Sequence, residues 1–416
     1  MIDVVYAGES PPESYNKAIF LAGPSPRDPA DGNWRPAALE YLEAAEYDGV
    51  VYVPLPREEG KWPENYDDQI EWETKYLHMS DVVVFWVPRD LEKLPAFTTN
   101  VEFGLWVSSG RAVYGRPPEA PKNRYLDWHA KQESVQVFST LDEVLSEAIN
   151  KVKVGATRTG GEREVPLFIW NQPHFQSWLW AQKLAGNRLD GARVLFNFRV
   201  GQTGKKNFPF AFILHVNVFI ASENRNKTNE FIFSRPDIAT VVGYRKAPVL
   251  TNEMSINEET VYASSAARLL ETEIAIIREF RSPARTTDGF IREIPGGSSW
   301  KPGDDPFVTM THELEEETGL GAESGFDIDP KRLRKIGSRQ LCGTLSAHQA
   351  HVFACELNDA EMDFLKKQQA ENIVHGVVED TERTYVEIHR LGDLIAANSN
   401  LLDWSMLGQI MTALLQ

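Results

Sequence analysis

The chain has 416 residues, 42% hydrophobic, 11% aromatic and 25% charged, with a net charge of −17. That length suggests two or three domains with ordinary apolar cores, and the acidic balance, with no lysine or arginine block, argues against nucleic-acid backbones and anionic membranes as partners. The two cysteines, Cys342 and Cys355, make no disulfide framework, and the start "MIDVVYAGES" has no basic stretch followed by an apolar one, so a reducing, cytoplasmic setting is expected.

In chain order, "AIFLAGP" (18–24) reads as a strand ending in a Gly-Pro turn, and "NWRPAALEYLEAAEYDG" has helical spacing closed by Gly49. "VVYVPLP" (50–56) is a second buried strand, "YDDQIEWETKYLHMSD" (66–81) a helix and "VVVFWVP" (82–88) a third strand. "TTNVEFGLWVSSG" begins another helix and "AVYGRP" a fourth strand. Strands alternating with helices predict a parallel α/β sheet covered on both faces, over residues 1–150. The polar, Gly-rich "KVKVGATRTGGEREVP" reads as a linker.

Residues 155–234 combine an aromatic helical stretch, "FIWNQPHFQSWLWAQKLAG", with strand-like runs including "FPFAFILHVNVFIA" (208–221). No chemistry is assigned to them. They read as a packing or dimerising extension of the domain that follows. From 235 to 416 the pattern is mixed α+β: strands at "IATVVGY", "ETEIAIIREFRSPA" and "QAHVFACEL", a helix at "PFVTMTHELEEETGL", and a Leu- and Met-rich C-terminal helix.

The stretch "THELEEETGL" (311–320) crowds like charges that repel on a helix. Glu313, Glu316 and Glu317 stand at i, i+3 and i+4 and so share one face, while Phe307, Met310 and Leu314 form a neighbouring stripe that packs inward. Three carboxylates beside a glycine loop are what a hard divalent cation needs, and the cation would remove the repulsion. Gly319 lets the helix end in a left-handed turn.

These residues resemble the second half of the Nudix box, with Glu313, Leu314, Glu316, Glu317, Gly319 and Leu320 in their places, and His312 where the family has arginine. The glycines before the box, Gly296 and Gly297, are offset by one residue from the family's pattern. "EIAIIREFRSPA" followed by "FIREIPGG" is similar to the ADP-ribose pyrophosphatase branch. The resemblance implies an α/β/α sandwich, a Mg2+ or Mn2+ cofactor, and commonly a homodimer. It also implies that Arg281 contacts the substrate's phosphates or terminal ribose, that Glu293 sits beside the metal, and that the Gly297 carbonyl contacts the metal. A base in the loop "HGVVEDTERTYVEI" (375–388) is implied as well: Glu379, Asp380 or Glu382.

The first 125 residues resemble a second family, the nucleoside 2-deoxyribosyltransferase-like proteins, which have a Rossmann-like parallel sheet. The carriers are "IFLAGP" (19–24), "YDDQIEWETKYLHMSD", "VVVFWVPR" and "FTTNVEFGLW" (97–106). The family's nucleophile is a glutamate in a short segment before a helix, and Glu102 in "VEFG" matches it. Asp81 matches an aspartate that follows a helix and opens a strand, and a second carboxyl group would manage the proton on the leaving base. By the same likeness the loop "LAGPSP" (21–26) lies near a sugar or 5′-phosphate. Gly23 permits close backbone approach, and Trp86 and Phe97 offer flat faces to a base. Transfer and hydrolysis both remain open.

The combined expectation is a Mg2+-dependent hydrolase of a nucleoside diphosphate linked to another moiety, ADP-ribose leading, fused to an N-glycosidic-bond-cleaving or transferring domain. The competing expectation is a nucleotide sensor that binds without turnover.

Overall fold

The computed structural model describes residues 2–26, 32–58, 65–200, 208–248, 265–298, 304–376, 382–396 and 401–416. The chain divides into two compact units, Met1–Ser234 and Arg235–Gln416.

The first unit is built on six parallel strands: β1 (Asp3–Tyr6), β3 (Ala18–Ala22), β4 (Val50–Val53), β5 (Val82–Trp86), β6 (Ala112–Gly115) and β7 (Val137–Phe138), in the order β1-β4-β3-β5-β6-β7. Every residue of β3, β4, β5 and β6 is buried, which explains why these segments read as unbroken Val, Ile and Phe runs rather than alternating patterns. Helices α1 (Arg35–Ala44), α2 (Tyr66–Met79) and α3 (Phe97–Trp106) connect the strands. The Asn65 side chain caps α2 by accepting from the Asp67 N–H, and Asp67 and Asp68 in the first turn suit the helix dipole. Trp72 and Tyr76 of α2 press on Phe20 and Tyr52, with the Tyr52 and Tyr76 rings stacked at 4.6 Å. Past β1 at the edge, the sheet order runs β4, β3, β5, β6, β7, so the chain winds one way from β3 to β4 and the other way from β5 onward, and the winding reverses between β3 and β5. Such a reversal opens a crevice beyond the carboxyl ends of those two strands, where ligands bind in open α/β sheets.

The expected assignment of 155–234 to the domain that follows is corrected by the structure, which groups this segment with the first unit. Strand β8 (Arg158–Thr159) pairs with β2 (Ser14–Tyr15), and the Arg158 guanidinium is buried against Asp81. Three long antiparallel strands follow, β9 (Arg188–Val200), β10 (Phe208–Ile220) and β11 (Arg225–Ser234), in the order β11-β10-β9. The apolar run at 208–221 is the central strand of that sheet.

The second unit has a mixed sheet, β14 (Phe290–Glu293), β13 (Glu273–Phe280), β12 (Ile238–Arg245), β17 (Gln349–Glu356) and β16 (Arg334–Gln340), with β15 (Gly296–Gly297) also on β12 and β18 (Thr384–Arg390) on β13. Among the described residues only β12 and β17 of this sheet pair in parallel. Alternate residues face opposite sides. Val241, Ala275 and Phe353 pack with Met310, Leu314, Met362 and Leu365 of the helices Pro306–Thr318 and Asp359–Glu371. Val242, Ile274 and Ala354 pack with Leu391, Met406 and Ile410 on the other face. The result is a helix–sheet–helix sandwich. Among the described residues no helix is long and apolar enough to cross a membrane.

Candidate functional site

In the first unit, the crevice between β3 and β5 is formed by backbone held tightly in place. Gly23 has φ +149, and a Cβ there would stand 2.3 Å from the Trp86 carbonyl oxygen and 2.9 Å from the Trp34 ring, so only glycine fits this turn. The buried Arg35 guanidinium pins the loop from behind. Its Nε donates to the Leu21 carbonyl (3.1 Å), Nη2 to the Gly23 carbonyl (2.8 Å) and Nη1 to Ser25 Oγ (3.3 Å).

Two carboxylates, Glu102 and Glu73, share the field of that arginine. Glu102 lies in the second turn of α3, inside the helix rather than in a segment before it. The helix is entered through Ala96, a buried non-glycine residue at φ 59, a conformation that costs energy and persists where surrounding packing enforces it. Burial pushes the Glu102 carboxyl up to about 7; the Glu73 charge adds to the rise and Arg35 opposes it. Burial raises Glu73 as well, while Gln69, donating from Nε2 at 2.8 Å, and Arg35 pull it down. Two acids with ionisation made costly by burial, one of them raised further by the other's charge and poised near neutral pH, can divide nucleophile and proton-carrier roles.

Asp81 does not belong to this pair, which corrects its expected role as proton manager. It opens β5 at the amino end, away from the crevice, and both its oxygens are occupied. Oδ1 accepts from the Leu167 N–H (2.8 Å) and Arg158 Nη1 (2.9 Å); Oδ2 accepts from the Ala18 N–H (2.8 Å) and Arg158 Nη2 (2.6 Å). The side chains of Arg158 and Asp81 are 0% and 2% exposed. Breaking such a pair strands a buried charge, so Asp81→Asn is expected to cost about 3–5 kcal/mol. Urea unfolding checks that, with turnover per folded molecule unchanged. Of the two expected stacking rings, Trp86 is 6% exposed and offers no open face, whereas Phe97 is 69% exposed at the start of α3.

In the second unit, the glycine pair of β15 lies against the acidic helix. A Cβ on Gly296 would stand 2.3 Å from the Ala239 carbonyl oxygen, and one on Gly297 would stand 2.2 Å from a Glu313 carboxylate oxygen. Glu317 Oε2 accepts the Gly296 N–H at 2.8 Å. Thus Glu313 and Glu317, one helical turn apart, face the glycine turn together. Glu317 gathers with Glu279 of β13 and Glu382, just before β18; their carboxylate oxygens lie within 4.8 Å of one another. Glu279 is absent from the sequence-based set, although it stands two residues before Arg281. Arg281 braces the group, with Nη2 at 2.7 Å from Glu279 and 3.1 Å from Glu293. Glu316 is exposed, as is His312. Glu379 and Asp380 lie outside the described residues.

Burial raises Glu313 to about 7, helped by the Glu316 and Glu382 charges. It raises Glu279 also to about 7, lifts Glu293, and carries Glu317 well above the usual carboxylate range despite the Gly296 N–H. The donor set is oxygen-only and ionises at mutual cost. That fits a hard divalent cation of the Mg2+ or Mn2+ class better than a soft one.

Residues 16–120 match the family model "Nucleoside 2-deoxyribosyltransferase like", so the first unit carries a domain of that kind. The match takes in β3, Gly23, α2, β5 and Glu102, and none of the second unit. No curated protein matches the chain.

Proposed function

We propose that the first unit cleaves or transfers at the N-glycosidic bond of a nucleoside or nucleotide, with Glu102 as the carboxylate that traps the sugar. The observation that carries this reading is the half-buried Glu102, coupled electrostatically to the half-buried Glu73 and to Arg35, which holds the Gly23 turn at the β3–β5 crevice of a deoxyribosyltransferase-like domain. Glycosidic cleavage passes through an oxocarbenium-like state that a carboxylate attacks or stabilises. Glu73, in place of Asp81, takes the part of the second carboxyl group and moves the proton of the leaving base. The Gly23 turn lets the sugar or its 5′-phosphate approach backbone.

For the second unit the proposal is a Nudix-type pyrophosphohydrolase acting on a nucleoside diphosphate linked to another moiety, with ADP-ribose the leading substrate. The supporting observation is the convergence of Glu279, Glu317 and Glu382 beside the Gly296–Gly297 turn, flanked by Glu313. These residues would hold Mg2+ or Mn2+, which supplies Lewis acidity and an acidified water when bound. Arg281 positions the diphosphate, Glu293 fixes Arg281, and Glu382 is placed to take a proton from the attacking water. The exposed His312 does no bracing; Arg281 holds that office in this chain. A nucleotide released or trimmed by the first activity is a chemically sensible feed for the second.

Chromatography of ADP-ribose incubated with the protein and Mg2+ tests the second half: AMP and ribose 5-phosphate are expected. Retention of every nucleotide in a panel, with tight binding by titration, would favour the sensor instead. Protons compete with the cation for Glu313 and Glu279, so Mg2+-induced thermal stabilisation is expected to grow from pH 6 to pH 8. A pH-independent shift in melting temperature would oppose this metal site.

A further inference from the structure

A 550 Å3 cleft opens from the acidic cluster of the second unit and shares Arg281 and Glu293 with it. Its floor is apolar, from Pro283, Ile291, Leu402 and Met406, and its charged groups are three arginines and two carboxylates. Two of the arginines are neutralised: Arg281 by Glu279 and Glu293, and Arg292 by Asp288 and Glu387. Arg285, on the turn between β13 and β14, has no ion pair with any described residue. Asp403 uses Oδ1 to accept from the Met406 N–H and Ser405 Oγ, both at 2.8 Å, and its Oδ2 takes no bond from a described residue. Arg285 and Asp403 are both exposed, so the solvent-facing edge of the cleft presents one cation without an ion pair among the described residues and one open carboxylate oxygen, beside the apolar lining and the Arg281 that positions the diphosphate. In a chain of net charge −17 an uncompensated guanidinium in a cleft marks a place where an anion is favoured.

We propose that the moiety linked to the diphosphate is a sugar bearing its own anionic group, with Arg285 reading that anion and Asp403 accepting sugar hydroxyls. This rests on the pyrophosphohydrolase reading of the same site and departs from it on the sugar: the terminal ribose of ADP-ribose carries no anion of its own, so an acidic sugar is expected to be preferred over it. Arg285 pairs with phosphate through two parallel N–H donors, which adds geometric selection to charge. A carboxylate offers the same fork to the guanidinium, so phosphorylated sugars and uronates share the chemistry.

Titration calorimetry on the full chain in Mg2+ tests it with three probes: glucose 1-phosphate, glucose 1,6-bisphosphate and glucuronic acid 1-phosphate. The 1-phosphate stands for the phosphate left on the sugar after cleavage. The bisphosphate is expected to bind at least 10-fold tighter than glucose 1-phosphate. Arg285→Gln is expected to erase that difference while leaving glucose 1-phosphate unchanged. The uronate binding as tightly as the bisphosphate would identify a carboxylate as an equal occupant; the uronate binding like glucose 1-phosphate would identify phosphate. Equal affinity of all three for the unmodified chain, binding of none, or equal loss for all three in Arg285→Gln, would overturn the inference. Omitting Mg2+ separates the two levels of argument. Discrimination that persists while Mg2+ has no effect on any probe keeps the anion reader and removes the metal-dependent reading.

Discussion

Glu102→Gln is expected to lower glycosidic turnover by roughly 10³-fold while making the protein more stable above neutral pH. The two effects have one physical origin. The carboxyl is lifted to about 7, first by burial and then by the Glu73 charge, so the folded chain holds that proton more tightly than the unfolded chain does. At pH below the unfolded value, near 4.5, both states are protonated and the buried acid carries no ionisation penalty. As pH rises from 4.5 towards 7 the unfolded chain releases its proton first, and stability is lost through that window. Above 7 the full deficit applies, about 3 kcal/mol for a shift of this size. Glutamine is nearly isosteric and never ionises, so the variant escapes the penalty. Its melting temperature should exceed that of the unmodified chain at pH 8 and equal it near pH 4. A variant that is less stable at pH 8, or one that releases free base at the normal rate, would remove Glu102 from its proposed role. Because the nucleophilic form is the ionised one, the glycosidic rate should climb through pH 7 in the unmodified protein.

The parts of the fold that could be read from sequence are those whose burial is two-sided or whose helix has a distinct cap. β3, β4 and β5 announce themselves as apolar, β-branched runs because both faces of a parallel sheet are covered. β16, "RKIGSRQ", does not, since it lies at an edge of the mixed sheet and most of its residues face solvent. The helix Asp359–Glu371 went unassigned although Asn358 and Glu361 form a capping box, because its charged residues mask a narrow buried stripe of Met362 and Leu365. The acidic helix was legible because charge crowding is a local property. Its companion Glu279 was not, because that residue becomes a neighbour of Glu317 and Glu382 only when β13 and β18 pair. Glu73 was equally hidden: in "YDDQIEWETKY" it is one acid among several, and Arg35 and Glu102 single it out only once the sheet is wound. Asp81 misled for the converse reason. A strand-opening aspartate looks the same in one dimension whether it serves chemistry or anchors Arg158.

Glu317→Gln is the corresponding test in the second unit, and it is expected to lower Mg2+-dependent pyrophosphate cleavage by roughly 10²–10³-fold or more. Glutamine keeps a carbonyl oxygen where Glu317 Oε2 accepts the Gly296 N–H, so the glycine turn and the helix should stay joined. What the change removes is a carboxyl whose ionisation is opposed first by burial and then by the Glu313, Glu293 and Glu382 charges. Without cation the variant should therefore be the more stable protein at pH 8, since less charge is confined. With cation the order should reverse. A ligand present at 100 times its dissociation constant stabilises the folded state by about 2.7 kcal/mol, and a chain that has lost a ligating carboxylate forfeits most of that. The crossing of the two melting curves with and without Mg2+ separates a metal site from a solvated acidic surface, where the substitution would leave the Mg2+ response as it was. It also separates Glu317 from Glu316, whose exposed side chain predicts a smaller loss on Glu316→Gln. If the two variants lose cleavage equally, the cluster of Glu279, Glu317 and Glu382 is not the centre of the chemistry, and the exposed face of the helix is.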